Sequence, residues 1–366
     1  MEQLTLDPKL IRMPEFATGM WLNIDHPLAK EELRGQVVLI DFWDYTCINC
    51  VRTLPYVTAW QERYADKGLT VIGVHSPEFK FAQHRAQIEA AIEEYGIRYP
   101  VLLDNDYQTW SRFAVKAWPT KILVDCDGYI RYWRQGEGYY AQTERALQAL
   151  LRERDPNAQL PDVMPPLRGE DAPGAVCYRP TPELFAGYER GSLGNRQGYA
   201  AGNPVVYDLP PKRDRRETNF YADGIWRAHP ESFAFAGQDG GRIVLPYRAV
   251  SVNAVVSPSS DPVEVILNLR PPDVLPLIEV RQDGYVLTPD NAGTDIEYDD
   301  GGVSTINVER PRLFELVRNH EFESHELELI FRANGLALYS FTFTSCVVPG
   351  RRGSDAGALG GTYRVG

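Results

Sequence analysis

Asp41-Phe-Trp-Asp-Tyr-Thr-Cys47-Ile-Asn-Cys50-Val-Arg-Thr-Leu-Pro55, the stretch DFWDYTCINCVRTLP, sets two cysteines two residues apart directly after an apolar run. The run, VVLIDFW over 37–43, is rich in β-branched side chains and follows Gly35, which predicts a buried strand. Beyond the cysteines Val51, Leu54, Val57, Trp60 and Tyr64 recur at three- and four-residue spacing, as in an amphipathic helix that ends near Gly68. Residues 69–75, LTVIGVH, repeat the strand pattern. The unit is therefore strand, helix, strand, and its two strands are expected to be parallel.

The pattern continues with a helix over about 80–95 ended by Gly96, a strand at 99–104 and a short helix at 107–114. A strand at 120–125, a turn at Asp127-Gly128, a strand at 129–134 and a helix over 140–153 follow. Residues 1–153 are expected to form one α/β domain. Seven prolines between Asp155 and Pro182 mark residues 154–182 as a linker. Over 183–349 the chain changes to short alternating or apolar stretches, among them GRIVLPY, AVSVNAVVS, VEVILNL, LFELVR and HELELIFR. Turn signals such as Asp283-Gly284 and Asn334-Gly335 punctuate them, which predicts an antiparallel, jelly-roll-like β-sandwich. The glycine-rich residues 350–366 read as a flexible tail.

A length of 366 residues accommodates two domains with cores of their own, and no apolar run approaches the ~18 residues of a membrane span. The start, MEQLTLDPKLIRMPEF, lacks a basic and then apolar leader, so the expected compartment is the cytoplasm. A formal charge of −12 argues against a nucleic-acid partner, and the cluster Lys212, Arg213, Arg215 and Arg216 reads as a solvated loop. Five cysteines in so long a chain do not make a disulfide scaffold. No second CxxC or His-x3-His accompanies the first pair, so no metal site is expected. Cys126 reads as an inert core or turn thiol, whereas Cys177 and Cys346 could pair in an oxidising environment.

Two cysteines placed between a buried strand and the first turn of a helix have a chemistry. Unpaired N–H groups and the helix dipole favour a thiolate on Cys47, which is expected to be the more acidic and more exposed thiol and to attack a disulfide. Cys50, one turn further, is placed to attack the mixed disulfide and release the reduced product. No cofactor is expected beyond the redox-active Cys47–Cys50 disulfide itself.

Here the chain resembles the thioredoxin superfamily. Asp41, six residues before Cys47, matches the buried acid beneath the redox site, which burial would tune to take the Cys50 proton. Trp43 matches the aromatic between strand and helix, Pro55 the proline that kinks the active-site helix, and Gly136 a glycine of the last strand. Trp118-Pro119-Thr120 matches the cis-proline loop that shapes the substrate groove. The extra helix and strand between about 80 and 104 are similar to the TlpA-like type, in some of which an acid placed like Glu78 points into the cavity; an exposed loop acid is the equal alternative. YTCINCVRTLPY, VIGVHSPEF, LDNDY and GEGYY resemble the C-terminal portion of DipZ-family proteins, where the thioredoxin-like domain precedes a sandwich resembling a carbohydrate-binding module; TPELFAGYER and ALYSFTF resemble that second domain. The resemblance covers roughly residues 11–347.

The resemblance implies a thiol:disulfide oxidoreductase with Cys47, Cys50, Asp41 and Pro119 as catalytic residues and Trp43, Trp118 and Glu78 as accessories. Its partners would be protein thiol or disulfide substrates and an electron-donating reductase or a CcdA-like membrane protein. It also implies an extracytoplasmic, periplasmic alternative to the cytoplasm. Carbohydrate is a further candidate ligand of the sandwich: Trp226, Phe220, Tyr221 and Tyr285 either stack on sugars or fill the core. The rival reading is a glycan- or protein-binding module with an accessory thioredoxin domain. A peroxidase is disfavoured because Thr46 adjoins Cys47, which breaks the P-x-x-x-T-x-x-C spacing.

Overall fold

A strand whose side chains are buried on both faces must lie inside a covered sheet, and Val37–Trp43 is buried at every position. In the computed structural model, which describes residues 6–261 and 276–348, this strand sits in a six-stranded sheet. Its members are β1 (Met20–Leu22), β2 (Val37–Trp43), β3 (Leu69–His75), β4 (Val101–Leu103), β5 (Thr120–Val124) and β6 (Ile130–Gln135), in the order β1-β4-β3-β2-β5-β6. β2, β3 and β4 are mutually parallel, as expected of strands joined by helices. β1 is antiparallel to β4, β5 to β2, and β6 to β5. The register places Trp43 beside His75 and Asp41 beside Lys121.

Four helices accompany this sheet: α1 (Ile48–Tyr64), α2 (Arg85–Glu94), α3 (Gln108–Arg112) and α4 (Tyr140–Arg154). α1 buries Leu54, Val57, Trp60 and Tyr64 along one stripe. Pro55 stands inside it and has no N–H to give the carbonyl four residues back. The chain leaves this helical stretch through Gly68 at φ 95°, a conformation that glycine adopts without Cβ strain. Tyr64 ties α1 to α4, its hydroxyl donating to Glu144 at 2.6 Å and accepting from Gln148 at 2.8 Å.

Two expectations for this part change. The helix foreseen over 80–95 is a 3₁₀ turn, Lys80–Gln83, and then α2, because His84 is extended (φ −76°, ψ 120°) and breaks the hydrogen-bond ladder. β1 has no counterpart in the sequence reading, since three residues are too few to show a period.

The chain divides into two units, Met1–Asp171 and Ala172–Gly366. In the second, the described residues form an 11-stranded antiparallel sheet that wraps round a shared core in a sandwich arrangement. The stretches GRIVLPY and AVSVNAVVS are one strand, Gly241–Ser257, and LFELVR and HELELIFR are one strand, Arg312–Phe331. The two pair along most of their lengths with register shifts at Ala249/Ser251 and Val252/Asn253. Such irregularities bend a strand without ending its pairing, and the polar residues beside them mimic turn signals in the sequence. The stretch VEVILNL and the tail 350–366 lie outside the described residues. In the core Trp226 stacks on Phe233 at 5.2 Å and meets Phe331 edge-on at 4.9 Å. Apart from the large sheet, Val176–Cys177 pairs with Cys346–Val347, and Cys177 and Cys346 form a disulfide.

Candidate active site

The loop leaving β2 is held by one buried carboxylate. Asp44 accepts from the Thr46 hydroxyl at 2.6 Å, from the Thr46 N–H at 3.3 Å and from the Glu78 N–H at 2.8 Å. Its Oδ1 lies 3.2 Å from Nε2 of His75, and both side chains are fully buried. The His75 ring stacks on Tyr45 at 5.6 Å and meets the edge of Trp43 at 5.1 Å. Asp44 thus joins the loop after β2 to the loop after β3, and fixes where the chain turns into α1.

Cys47 is the N-cap of α1: its backbone is extended (φ −90°, ψ 113°), and its Sγ accepts the Cys50 N–H at 3.3 Å. A capping position normally belongs to an oxygen side chain; here a sulfur takes it, in the field of the helix N-terminus. Both cysteines are free thiols, Cys47 half-buried and Cys50 buried. Burial pushes the Cys47 thiol above its ordinary value, hydrogen bonds from Cys50 pull it back, and the charges of Glu78 and Asp44 push it up again. Burial pushes Cys50 well above, with Cys47 adding to the shift. Cys47 is the more exposed of the two, but its thiol is not drawn below the ordinary range as the helix dipole alone would have it; burial and two nearby carboxylates oppose the dipole.

Asp41 is buried and its charge acts on Cys50; among the described residues neither of its carboxyl oxygens has a hydrogen-bond partner. Burial raises its pKa to about 6, against the downward pull of Lys121. Lys121 is itself fully buried; its Nζ donates to the Gly136 carbonyl at 3.1 Å, and burial lowers its pKa. The Trp118–Pro119 bond is cis. Pro119 is buried and immediately precedes Thr120, the cross-strand neighbour of Phe42, so it stands at the same end of the sheet as the loop to Cys47. Half-buried Trp118 donates from Nε1 to the Ser76 carbonyl at 2.9 Å. Trp43 ends β2 fully buried, and Glu78 is half-buried with its charge acting on Cys47.

Asp44, His75 and Lys121 belong to this cluster and were not singled out from the sequence. Their signal was a polar residue in or beside an apolar strand: the histidine closing LTVIGVH, the lysine in TKILVD, and the second acid in DFWD. In the second unit Trp226, Phe220 and Tyr221 are core residues, whereas Tyr285 is 77% exposed. Among the described residues no group of three or more His, Cys, Asp or Glu side chains could hold a metal ion. No helix among them is long and apolar enough to cross a membrane.

Residues 12–133 match the AhpC/TSA family, and residues 181–344 match the thioredoxin like C-terminal domain. With the CxxC at the head of α1, these matches show an AhpC/TSA domain and a thioredoxin like C-terminal domain in this chain. The chain is similar to protein DipZ of Mycobacterium bovis, 36% identical over 239 residues that cover 64% of this chain and 33% of DipZ. The chain thus spans about a third of the length of the DipZ proteins it matches. It is also 27% identical to the thiol-disulfide oxidoreductase ResA of Bacillus thuringiensis over 129 residues, 35% of this chain and 69% of ResA. A thiol-disulfide isomerase structure from Corynebacterium glutamicum is 26% identical, covers 38% of this chain and 96% of its own, and superposes with a TM-score of 0.33.

Proposed function

We propose that the chain is a thiol:disulfide oxidoreductase acting on protein substrates through Cys47 and Cys50. The Cys47 thiolate attacks one sulfur of a substrate disulfide, forming a mixed disulfide and expelling the other sulfur as a thiolate, which takes up a proton. Cys50 loses its proton to Asp41, then attacks Cys47 Sγ and expels the second substrate thiolate. The substrate gains two electrons and two protons, and the chain is left with a Cys47–Cys50 disulfide that an electron-donating dithiol must reduce. A reductase or a CcdA-like membrane protein fits that role. The supporting observation is the 3.3 Å contact from the Cys50 N–H to Cys47 Sγ at the head of α1, which sets a reachable sulfur one turn from a buried one.

Pro119, at the same end of the sheet, shapes the substrate groove, with Trp43, Trp118 and Glu78 lining or supporting the site. The second unit recruits substrates, and exposed Tyr285 keeps carbohydrate among its candidate ligands; a glycan array of the full chain tests that, and silence would leave protein docking. The Cys177–Cys346 bond favours an extracytoplasmic setting over the cytoplasm, since thiol-reducing compartments do not sustain structural disulfides. The decisive experiment is Cys50→Ser, which should accumulate mixed disulfides on Cys47, while Cys47→Ser accumulates few or none and fails to reduce insulin. Equal trapping by both variants would overturn the assignment of roles.

A further inference from the structure

The proline-rich sequence predicts a linker over 154–182, yet residues 161–171 are bonded to α1 and α4 within the first unit as a strap. The Pro161 carbonyl accepts from Gln148 Nε2 at 2.8 Å, the Asp162 carbonyl accepts from Arg63, and the Met164 N–H donates to Glu144 at 2.9 Å. Further on, the strap reaches the half of α1 that follows the cysteines. The Leu167 N–H donates to the Tyr56 hydroxyl at 2.7 Å, and that hydroxyl donates to Asp171 at 2.8 Å. Tyr56 stacks on Tyr140 of α4 at 3.6 Å and nearly parallel, with both rings buried.

Arg168 is the centre of this end of the strap. Its guanidinium donates to the two oxygens of Asp171 at 2.8 and 2.9 Å, to Glu137 at 2.9 Å and to the Tyr140 hydroxyl at 3.3 Å. Glu137 also accepts at 2.6 Å from Nε of Arg52, two residues past Cys50, and Arg52 lies 3.6 Å from Glu170. One carboxylate therefore joins α1 to the strap. It stands between Gly136 and Gly138, at φ 84° and 89°, and among the described residues nothing lies within 4 Å of where a Cβ would be at either. The glycines allow the turn its backbone conformation but supply no side chain to hold it. The Gly136 N–H, in turn, donates to the Pro119 carbonyl at 2.7 Å. A line of contacts thus runs from Arg168 through Glu137 and Gly136 to Pro119.

Resting on the oxidoreductase reading above, we infer that Arg168 is a positioning residue for substrate binding: through Glu137 it holds the Gly136–Gly138 turn, and with it the Pro119 loop, in place against the cysteine-bearing end of α1. A guanidinium suits the task, because its rigid fork serves two carboxylates and a hydroxyl at once, and charge-assisted bonds are roughly twice as strong as neutral ones. A lysine would keep the charge and lose the fork. Both arginines bond the same oxygen, Glu137 Oε1, so without Arg168 the turn keeps its tie to α1 and loses its tie to the strap.

Amide hydrogen exchange of the full chain reads the turn directly. In Arg168→Gln the Gly136 amide should exchange about tenfold faster, the effect of losing one charged hydrogen bond, while the amides of β2 and β3 keep their protection. The KM for insulin should rise about tenfold or more with kcat less affected, because a misplaced loop costs orientation. Alkylation of Cys47 by iodoacetamide should be little changed, and Arg168→Lys should restore part of the lost affinity. Should Arg168→Gln not fold, Glu137→Gln weakens the same tie from its other end and should give the same two changes. A Gly136 amide that exchanges at the unaltered rate, faster exchange spread evenly over β2 and β3, or an insulin KM unmoved once the turn has loosened would overturn the inference. Exchange does not depend on turnover. An unaltered chain that reduces no insulin, yet whose Gly136 amide answers selectively to Arg168, would defeat the proposed function and leave the clamp on the turn standing.

Discussion

Replacing Asp41 with Asn should make the stability of the first unit less sensitive to pH, by an amount that follows from one titration. The ordinary carboxyl value is 3.8, and burial raises that of Asp41 to about 6. Below about pH 4 the carboxyl is protonated both folded and unfolded, and contributes nothing. Between about 4 and 6 the folded state holds a proton that the unfolded state has released, so stability falls as pH rises through this window. Above about 6 the whole cost of keeping a buried carboxylate is in place. Roughly two pH units at about 1.4 kcal/mol each come to about 3 kcal/mol, and the pull of Lys121 is already inside that figure. Asn does not titrate, so the advantage of Asp41→Asn over the unaltered protein should grow by about 3 kcal/mol between pH 4 and pH 8. Urea unfolding of the reduced full chain, followed by tryptophan fluorescence, measures this. Trp21, Trp43, Trp60, Trp110, Trp118 and Trp133 all lie in the first unit and only Trp226 in the second, so the signal reports mainly on the first. An advantage equal at the two pH values would refute the raised titration and, with it, the proton-accepting role.

Glu78→Gln should lower the apparent pKa of Cys47, since it removes one of the charges that oppose the thiolate while leaving burial unchanged; thiolate absorbance against pH reads it, and an unchanged curve would show that Glu78 does not act on that sulfur. Trp226→Ala should destabilise the second unit by about 3–5 kcal/mol, because it empties the stack with Phe233 and Phe331; a loss under about 1 kcal/mol in near-ultraviolet circular dichroism melts would contradict its core placement. Reducing Cys177–Cys346 should cost the second unit up to about 5 kcal/mol, given a sequence separation of 169, and coincident urea midpoints for the oxidised and reduced chains would count against the cross-link.

What could be read in advance was whatever the chain states locally. VVLIDFW and LTVIGVH coincide with β2 and β3 because a doubly buried strand is an unbroken apolar run with sharp ends. The cysteines were legible for the same reason, being close in sequence and tied to the strand before them and the helix after. Asp44, His75 and Lys121 escaped notice because their meaning lies in register: each gains its partner from a neighbouring strand or loop, and a polar letter in an apolar run does not say which residue will stand opposite. The long strands of the second unit were cut in two because a bulge and a turn leave similar polar marks. Trp226, Phe220 and Tyr221 could not be told from Tyr285, since aromatic residues serve cores and surfaces alike.

The Cys177–Cys346 bond also decides how the second unit bears load. The two sulfurs face each other where the chain enters and leaves the sandwich. Tension applied before Cys177 and after Cys346 passes across the S–S bond and never reaches the strands between. At about 3.4 Å per residue, a separation of 169 conceals about 570 Å of contour from a pulling force. With the bond intact the sandwich behaves as a rigid bead on a short tether. Once it is cut, the same pull peels the ladder apart strand by strand, so that a two-electron change sets whether this segment acts as a strut or a spring.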